Sequence, residues 1–289
     1  MSGLVRAQQQ NRDTDSVSLY DSAVRRAPLR GALVDLYRYR ALVRLLVARD
    51  MTVRYKRSLL GVTWTVLNPL LITLVMWGVF EHLFHSSIPG HIPYIVYILA
   101  GNLVVTYFQQ GVNMTAASIA SSAGMLTKVY VPPVIFAFSA AASGAVNFVY
   151  GLVPLVVIQL STGTGVAPTF VLVPVPLLFF LLMIAGIGFF LATYAIRYDD
   201  VLNLIGVVMV LVAYITPTFY PVTIVPAQFR RFFYLDPVFP YVETFRYLEY
   251  GGPRPSWVAA AYILVSGLVG FAVGLRVFVR RWPSLAVLM

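Results

Sequence analysis

Charged side chains fall in clusters along this chain and leave long windows with none, at 58 to 80, 82 to 127, 129 to 196, 201 to 229 and 255 to 275. Each window is at least about the 20 residues that a helix needs to cross the hydrocarbon of a bilayer. The pattern predicts six spans, over 62 to 83, 93 to 116, 132 to 160, 170 to 195, 202 to 220 and 257 to 279, with two sharing the longest window. Turn formers fill the gaps, as in Ser86-Ser87-Ile88-Pro89-Gly90 and Ser161-Thr162-Gly163-Thr164-Gly165. The windows are continuously apolar, without alternation of lipid-facing and lumen-facing residues, which excludes a transmembrane β-barrel.

Two segments depart from this pattern. Residues 1 to 30 are polar and mixed in charge, a mobile tail, and from Ala32 to Asp50 the periodicity becomes helical. There Leu36, Tyr39, Val43, Leu46 and Val47 share one face while Arg38 and Arg49 lie away from it. That arrangement predicts an amphipathic helix on the inner leaflet, leading through a basic segment that ends near residue 61. Between the fifth and sixth spans, Phe219 to Gly252 is apolar and aromatic but broken at Pro221, Pro226, Pro237 and Pro240. Broken helices at membrane depth persist only where protein or water satisfies their free backbone groups. A pair of short re-entrant or interfacial helices on the outer side is therefore expected. The fold class is an all-α membrane protein, with the membrane domain over 62 to 281 and a cytoplasmic tail over 282 to 289.

Composition agrees, since 59% hydrophobic against 11% charged residues is more apolar surface than one soluble core of this size can hide. Charge then sets the orientation. Twelve of the 21 Lys and Arg precede residue 62, and Arg276, Arg280 and Arg281 follow the last span, so both termini are expected in the cytoplasm, with Lys128 and Arg197 in inside loops. The first apolar run begins after about 58 residues, which predicts an uncleaved first span as the targeting signal for the inner or plasma membrane. A net charge of +10 needs no nucleic acid, because a basic face beside anionic membrane lipid accounts for it. With no cysteine, disulfides and thiolate metal sites are excluded, and His82, His85 and His91 have no acid pair nearby to complete a metal centre. Glu81, Asp236, Glu243 and Glu249 fall near the outside, so the mid-membrane carboxylates of a proton-coupled carrier are missing.

Four segments carry a family resemblance. Arg54-Tyr55-Lys56-Arg57-Ser58-Leu59-Leu60-Gly61-Val62-Thr63-Trp64-Thr65-Val66-Leu67-Asn68-Pro69-Leu70 runs a basic cluster directly into a span. Met125-Leu126-Thr127-Lys128-Val129-Tyr130-Val131-Pro132 forms an inside loop, and Arg197-Tyr198-Asp199-Asp200-Val201 an inside turn. Thr216-Pro217-Thr218-Phe219-Tyr220-Pro221 is followed by Leu235-Asp236-Pro237 and Arg246 near the outer face. In this order they resemble the ABC-2-type polysaccharide and polyol-phosphate exporter permeases, the family of O-antigen and teichoic acid exporters, with the nearest likeness to actinobacterial galactan exporters. Val131, Pro133, Asp199 and Asp236 depart from the family pattern.

The resemblance implies a permease that exports a polyprenyl-diphosphate-linked polysaccharide, working as a homodimer with two copies of a nucleotide-binding ATPase. No Gly-x-x-x-x-Gly-Lys-Ser/Thr stretch occurs, so this chain holds no cofactor and is no enzyme by itself; ATP and Mg belong to the partner. A diphosphate head at the inner leaflet calls for cationic partners, for which Arg49, Arg54, Lys56 and Arg57 are the candidates. ATPase coupling is expected at Leu36, Tyr39, Arg40, Lys128 and Tyr130. A glycan path wants broad aromatic surfaces, for which Trp77, Phe80, Tyr107, Phe108, Phe148, Tyr150, Tyr214, Phe219 and Tyr220 are available. Gly101, Gly111, Ala137, Ala141, Gly144, Gly186 and Gly188 are candidates for the seam between two copies. The competing class is an integral membrane enzyme acting on lipid-linked sugars, which needs paired acids or a nucleophile with a base; Asp199-Asp200 is the only adjacent acid pair.

Overall fold

Nine α-helices and no strand occur among the described residues of the computed structural model, which are 28–56, 60–61, 63–84, 92–126, 131–198, 200–226 and 228–285. Five are long and apolar enough to cross a membrane: α3 (Thr63–Phe84), α4 (Tyr94–Leu126), α5 (Pro133–Ser161), α6 (Pro174–Ala195) and α9 (Trp257–Leu285). A helix is the natural state of such a segment in lipid, because it satisfies its own backbone donors and acceptors. Pro133 and Pro174 open α5 and α6, where a missing N–H costs nothing. Pro69 lies inside α3, and its carbonyl takes a hydrogen bond from the Asn102 amide of α4 at 3.3 Å.

The fifth expected span differs. Its helix, α7, covers Asp200–Ile215, only about 24 Å at 1.5 Å per residue and short of a hydrocarbon layer. Beyond Ile215 the chain leaves the helix, because Pro217 has no N–H to donate and biases Thr216 away from helical geometry. Two 3-10 turns follow, at Val222–Ile224 and Arg230–Leu235, then α8 at Phe239–Tyr250. Where a pair of short helices was expected, the described residues of the outer segment thus hold two 3-10 helices and one α-helix. Just before the start of α8, Asp236 accepts the Val238 N–H at 2.9 Å, and Gly251, with φ 75°, ends the helix in the left-handed conformation that glycine adopts without strain.

At the other end, the helix expected over 32 to 50 is two helices, α1 (Pro28–Arg38) and α2 (Arg40–Tyr55), broken at Tyr39. Leu36, Tyr39, Leu42 and Val43 pack on the core, and Leu46 is buried. The stripe read from the sequence therefore faces protein, with α1 against α9 and α2 against α5. We refer to this as the basic end of the bundle and to the opposite one, where α8 lies, as the far end.

The centre belongs to α4, whose most apolar window is 78% buried, whereas that of α3 is 11% buried. Around α4 the rings of Tyr107, Phe108, Phe148, Phe180, Tyr241 and Phe245 pack in sequence, the tightest pair being Phe180 and Tyr241 at 4.2 Å between centroids. The most extensive helix pair is α6 with α9. Gly186 and Gly274 meet there so closely that a methyl group on either would strike the backbone of the other helix. Gly101, Gly111, Gly144 and Gly188 also meet side chains of their own chain, and Ala137 and Ala141 have no exposed surface. The small residues expected between two copies are thus spent on close packing inside one.

Candidate functional site

Along α2, Leu46, Arg49, Asp50, Val53 and Arg54 recur at helical spacing and share one face. That face looks across a pocket of about 600 Å³ onto Met114, Ala117, Ser118, Ser121 and Ser122 of α4 and Phe136, Ser139 and Ala140 of α5. The pocket exists because α2 lies beside the ends of two long helices with small side chains where they meet it. Its polar lining is mostly hydroxyl. Ser118 and Ser121 donate back to the carbonyls of Thr115 and Ser118, at 2.7 and 3.0 Å, and each hydroxyl can rotate to another acceptor.

The two arginines are held differently. Arg49 Nη2 lies 3.1 Å from Asp50 Oδ1, while Asp50 Oδ2 accepts a hydrogen bond from the Ser143 hydroxyl of α5 at 3.4 Å. Arg54 points to the Met114 thioether, a weak acceptor, and has no carboxylate partner among the described residues. Two guanidinium ions against one carboxylate leave the pocket a net positive charge, and their forked donors fit phosphate or carboxylate oxygens. Of the four cations expected at a lipid diphosphate, the structure brings Arg49 and Arg54 together. Lys56 is exposed past the end of α2 and does not line the pocket, and Arg57 lies outside the described residues.

The other expected groups divide similarly. Leu36 and Tyr39 are half-buried against the bundle, whereas Arg40 is exposed above the Tyr37 ring at 4.7 Å; Lys128 and Tyr130 lie outside the described residues. Tyr37 itself is 72% exposed, and Leu33, Val34 and Leu45 are exposed with it, so α1 and α2 carry a second apolar surface. Among the aromatics, Tyr107, Phe108 and Phe148 fill the core rather than line an open surface. Trp77, Tyr150 and Tyr214 are exposed, while Phe80 and Phe219 pack on the Tyr94 and Tyr97 cluster at the far end. His85 and His91 lie outside the described residues.

The far end holds a group whose partners the sequence does not reveal. Arg246 of α8 is buried, donates from Nη1 to the Pro217 carbonyl at 3.2 Å, and from Nη2 to the carbonyls of Tyr97 at 3.1 Å and Thr218 at 3.0 Å. Its guanidinium carbon also sits 3.6 Å from the centroid of the Tyr97 ring. The Tyr94 hydroxyl donates to the Phe219 carbonyl, and that of Tyr97 to Tyr220 at 3.2 Å. Four successive carbonyls, from Pro217 to Tyr220, are thereby satisfied where the helix has been lost, as a buried irregular backbone requires. An arginine inside an apolar segment, with two tyrosines opening the second span, is the signal available in the sequence.

Among the described residues, no carboxylate forms an ion pair with Arg246. Burial pushes Glu249 up to about 8, with Arg246 only partly opposing it, and raises Glu243 for the same reason. Neither Glu249 oxygen has a hydrogen-bond partner among the described residues. Asp236 is also raised by burial, against the hydrogen bonds it accepts.

Comparison with known proteins adds three relatives. A family model described as ABC-2 type transporter matches residues 41–250. The chain is 29% identical over 197 residues to the O-antigen export system permease protein RfbA of Myxococcus xanthus, covering 68% of this chain and 75% of that protein. A protein of the same name from Klebsiella pneumoniae is 23% identical, over 80% of this chain and 88% of its own. The polysialic acid transport protein KpsM of Escherichia coli is 21% identical, over 83% and 93%.

Proposed function

This chain belongs to the ABC-2 type transporter family, and we propose that it is the permease of an exporter that moves a polyprenyl-diphosphate-linked polysaccharide across the cytoplasmic membrane. Two copies work with two copies of a separate ATPase that binds ATP and Mg. The observation that carries this reading is the pocket at the basic end, where Arg49 and Arg54 meet a hydroxyl-rich wall. Lysine and arginine bias assigns that end to the cytoplasm, the side on which lipid-linked glycan is loaded. A diphosphate head fits the forked donors, and its lipid tail stays in the bilayer.

The glycan itself needs a wider path than one copy contains. The exposed helices α3 and α7 support a two-fold assembly, because each turns an asparagine, Asn68 and Asn203, out of an apolar surface. Trp77 and Tyr214 stand exposed on the same two helices, and we assign the aromatic path to them with Phe219 and Tyr220. The exposed Leu33, Val34, Tyr37 and Arg40 of α1 and α2 support an ATPase-facing surface there. The relatives' names, two of them O-antigen export permeases and one a polysialic acid transport protein, support polysaccharide as cargo.

Affinity purification from the native host in mild detergent, followed by mass spectrometry, tests the proposal. A stoichiometric P-loop ATPase together with co-isolated polyprenyl diphosphate glycan is expected. A preparation without either, after crosslinking, contradicts it and favours an enzyme acting on lipid-linked sugars.

A further inference from the structure

We propose that Asp50 is a competitor built into the pocket, which occupies Arg49 when the site is empty and keeps the bound diphosphate head easy to release. This rests on the reading of the pocket as a lipid-diphosphate site. Neighbouring residues on a helix do not face each other, yet the Arg49 side chain bends back to Asp50 at 3.1 Å. The carboxylate also lies 3.4 Å from the Ser143 hydroxyl of α5, a weaker contact because that hydroxyl shares its proton with the Ser139 carbonyl at 2.9 Å. Arg54, five residues on, has no such carboxylate among the described residues. Among the described residues, the pocket therefore offers one guanidinium with no carboxylate beside it and one whose Nη2 is shared with a carboxylate.

That asymmetry suits transport. A ligand that is carried must leave its site as readily as it enters, so maximal affinity is a disadvantage. With both arginines unopposed, a doubly charged diphosphate ester would be held by two forked contacts. Asp50 removes part of that attraction and waits beside Arg49 to take its place again. Side-chain exposures of 42% for Arg49 and 25% for Asp50 leave water to solvate whichever partner is released.

Binding of farnesyl diphosphate to the purified full chain in lipid nanodiscs, with farnesol and inorganic pyrophosphate as comparison ligands, tests the idea. The native chain is expected to prefer farnesyl diphosphate over both, and R54Q to lose that preference. D50N is expected to bind on the order of fivefold more tightly, with slower release, as removal of one partly exposed charge contact predicts. D50E should match the native chain, and D50S should match D50N, which guards against a fault particular to one substitution. Unchanged or weaker binding by both D50N and D50S, with the native preference and the R54Q loss intact, overturns the role of Asp50 and leaves the lipid-diphosphate reading standing. Equal binding of farnesol, or of inorganic pyrophosphate, by the native chain overturns that reading itself.

Discussion

Arg246 and Arg54 carry the same guanidinium to opposite ends of one bundle, and their surroundings separate their roles. Arg246 is 6% exposed and reaches three carbonyls and a ring, so its two terminal nitrogens are committed to holding the chain, while its buried Nε has no partner among the described residues. Arg54 is exposed at a pocket and touches a thioether, so its donors remain available to an anion. A cation that repairs broken backbone is structural; a cation left with a weak acceptor beside a cavity is available to a ligand. Arg49 stands between the two, partnered by Asp50 but exchangeable.

The contrast breaks most visibly at Arg246. R246A leaves the Pro217 and Thr218 carbonyls without a donor, at about 1 to 3 kcal/mol each, so a loss of at least about 2 kcal/mol is expected, read as a lower melting temperature in detergent. R246K should recover only part of it, because an ammonium lacks the fork that spans Pro217, Thr218 and Tyr97. R54Q should behave in the opposite way, with glycan export in cells reduced about tenfold or more as a charge-assisted contact is lost. Its melting temperature should stay near that of the native chain, since an exposed change away from packed groups is worth about 0.5 kcal/mol or less. Equal destabilisation by both variants would erase the distinction.

Glu249 sharpens the comparison from the acidic side. An acid held near 8 in the folded protein and near 4.5 when unfolded keeps a proton that the unfolded chain has released. Stability therefore falls as pH rises from 4.5 to 8 and levels off above that. E249Q is expected to flatten this decline and, above pH 8, to melt a few degrees higher than the native chain; thermal scans across the range check it. Y97F should show the smallest effect, about 1 kcal/mol, because it removes the hydrogen bond to Tyr220 and retains the ring beneath Arg246.

Hydrophobic runs and basic clusters were enough to read the long helices, since a segment crossing lipid must satisfy its own backbone and exclude charge over its whole length. Those are local demands, visible at α3, α4, α5, α6 and α9. The basic character around Arg49 and Arg54 was legible for the same reason, whereas the end of α7 at Ile215 was not, since the fifth span was expected to run through Pro217 to residue 220. Contacts between distant segments were not. Whether Gly186 faces α9 or a second copy, whether Tyr107 lines a path or fills the core, and which carbonyls Arg246 reaches depend on how helices turn toward one another. A continuously apolar helix has no polar face to record that rotation. Only tertiary packing decided it, joining Asp50 to Ser143 and Arg246 to Tyr97 across 93 and 149 residues of chain.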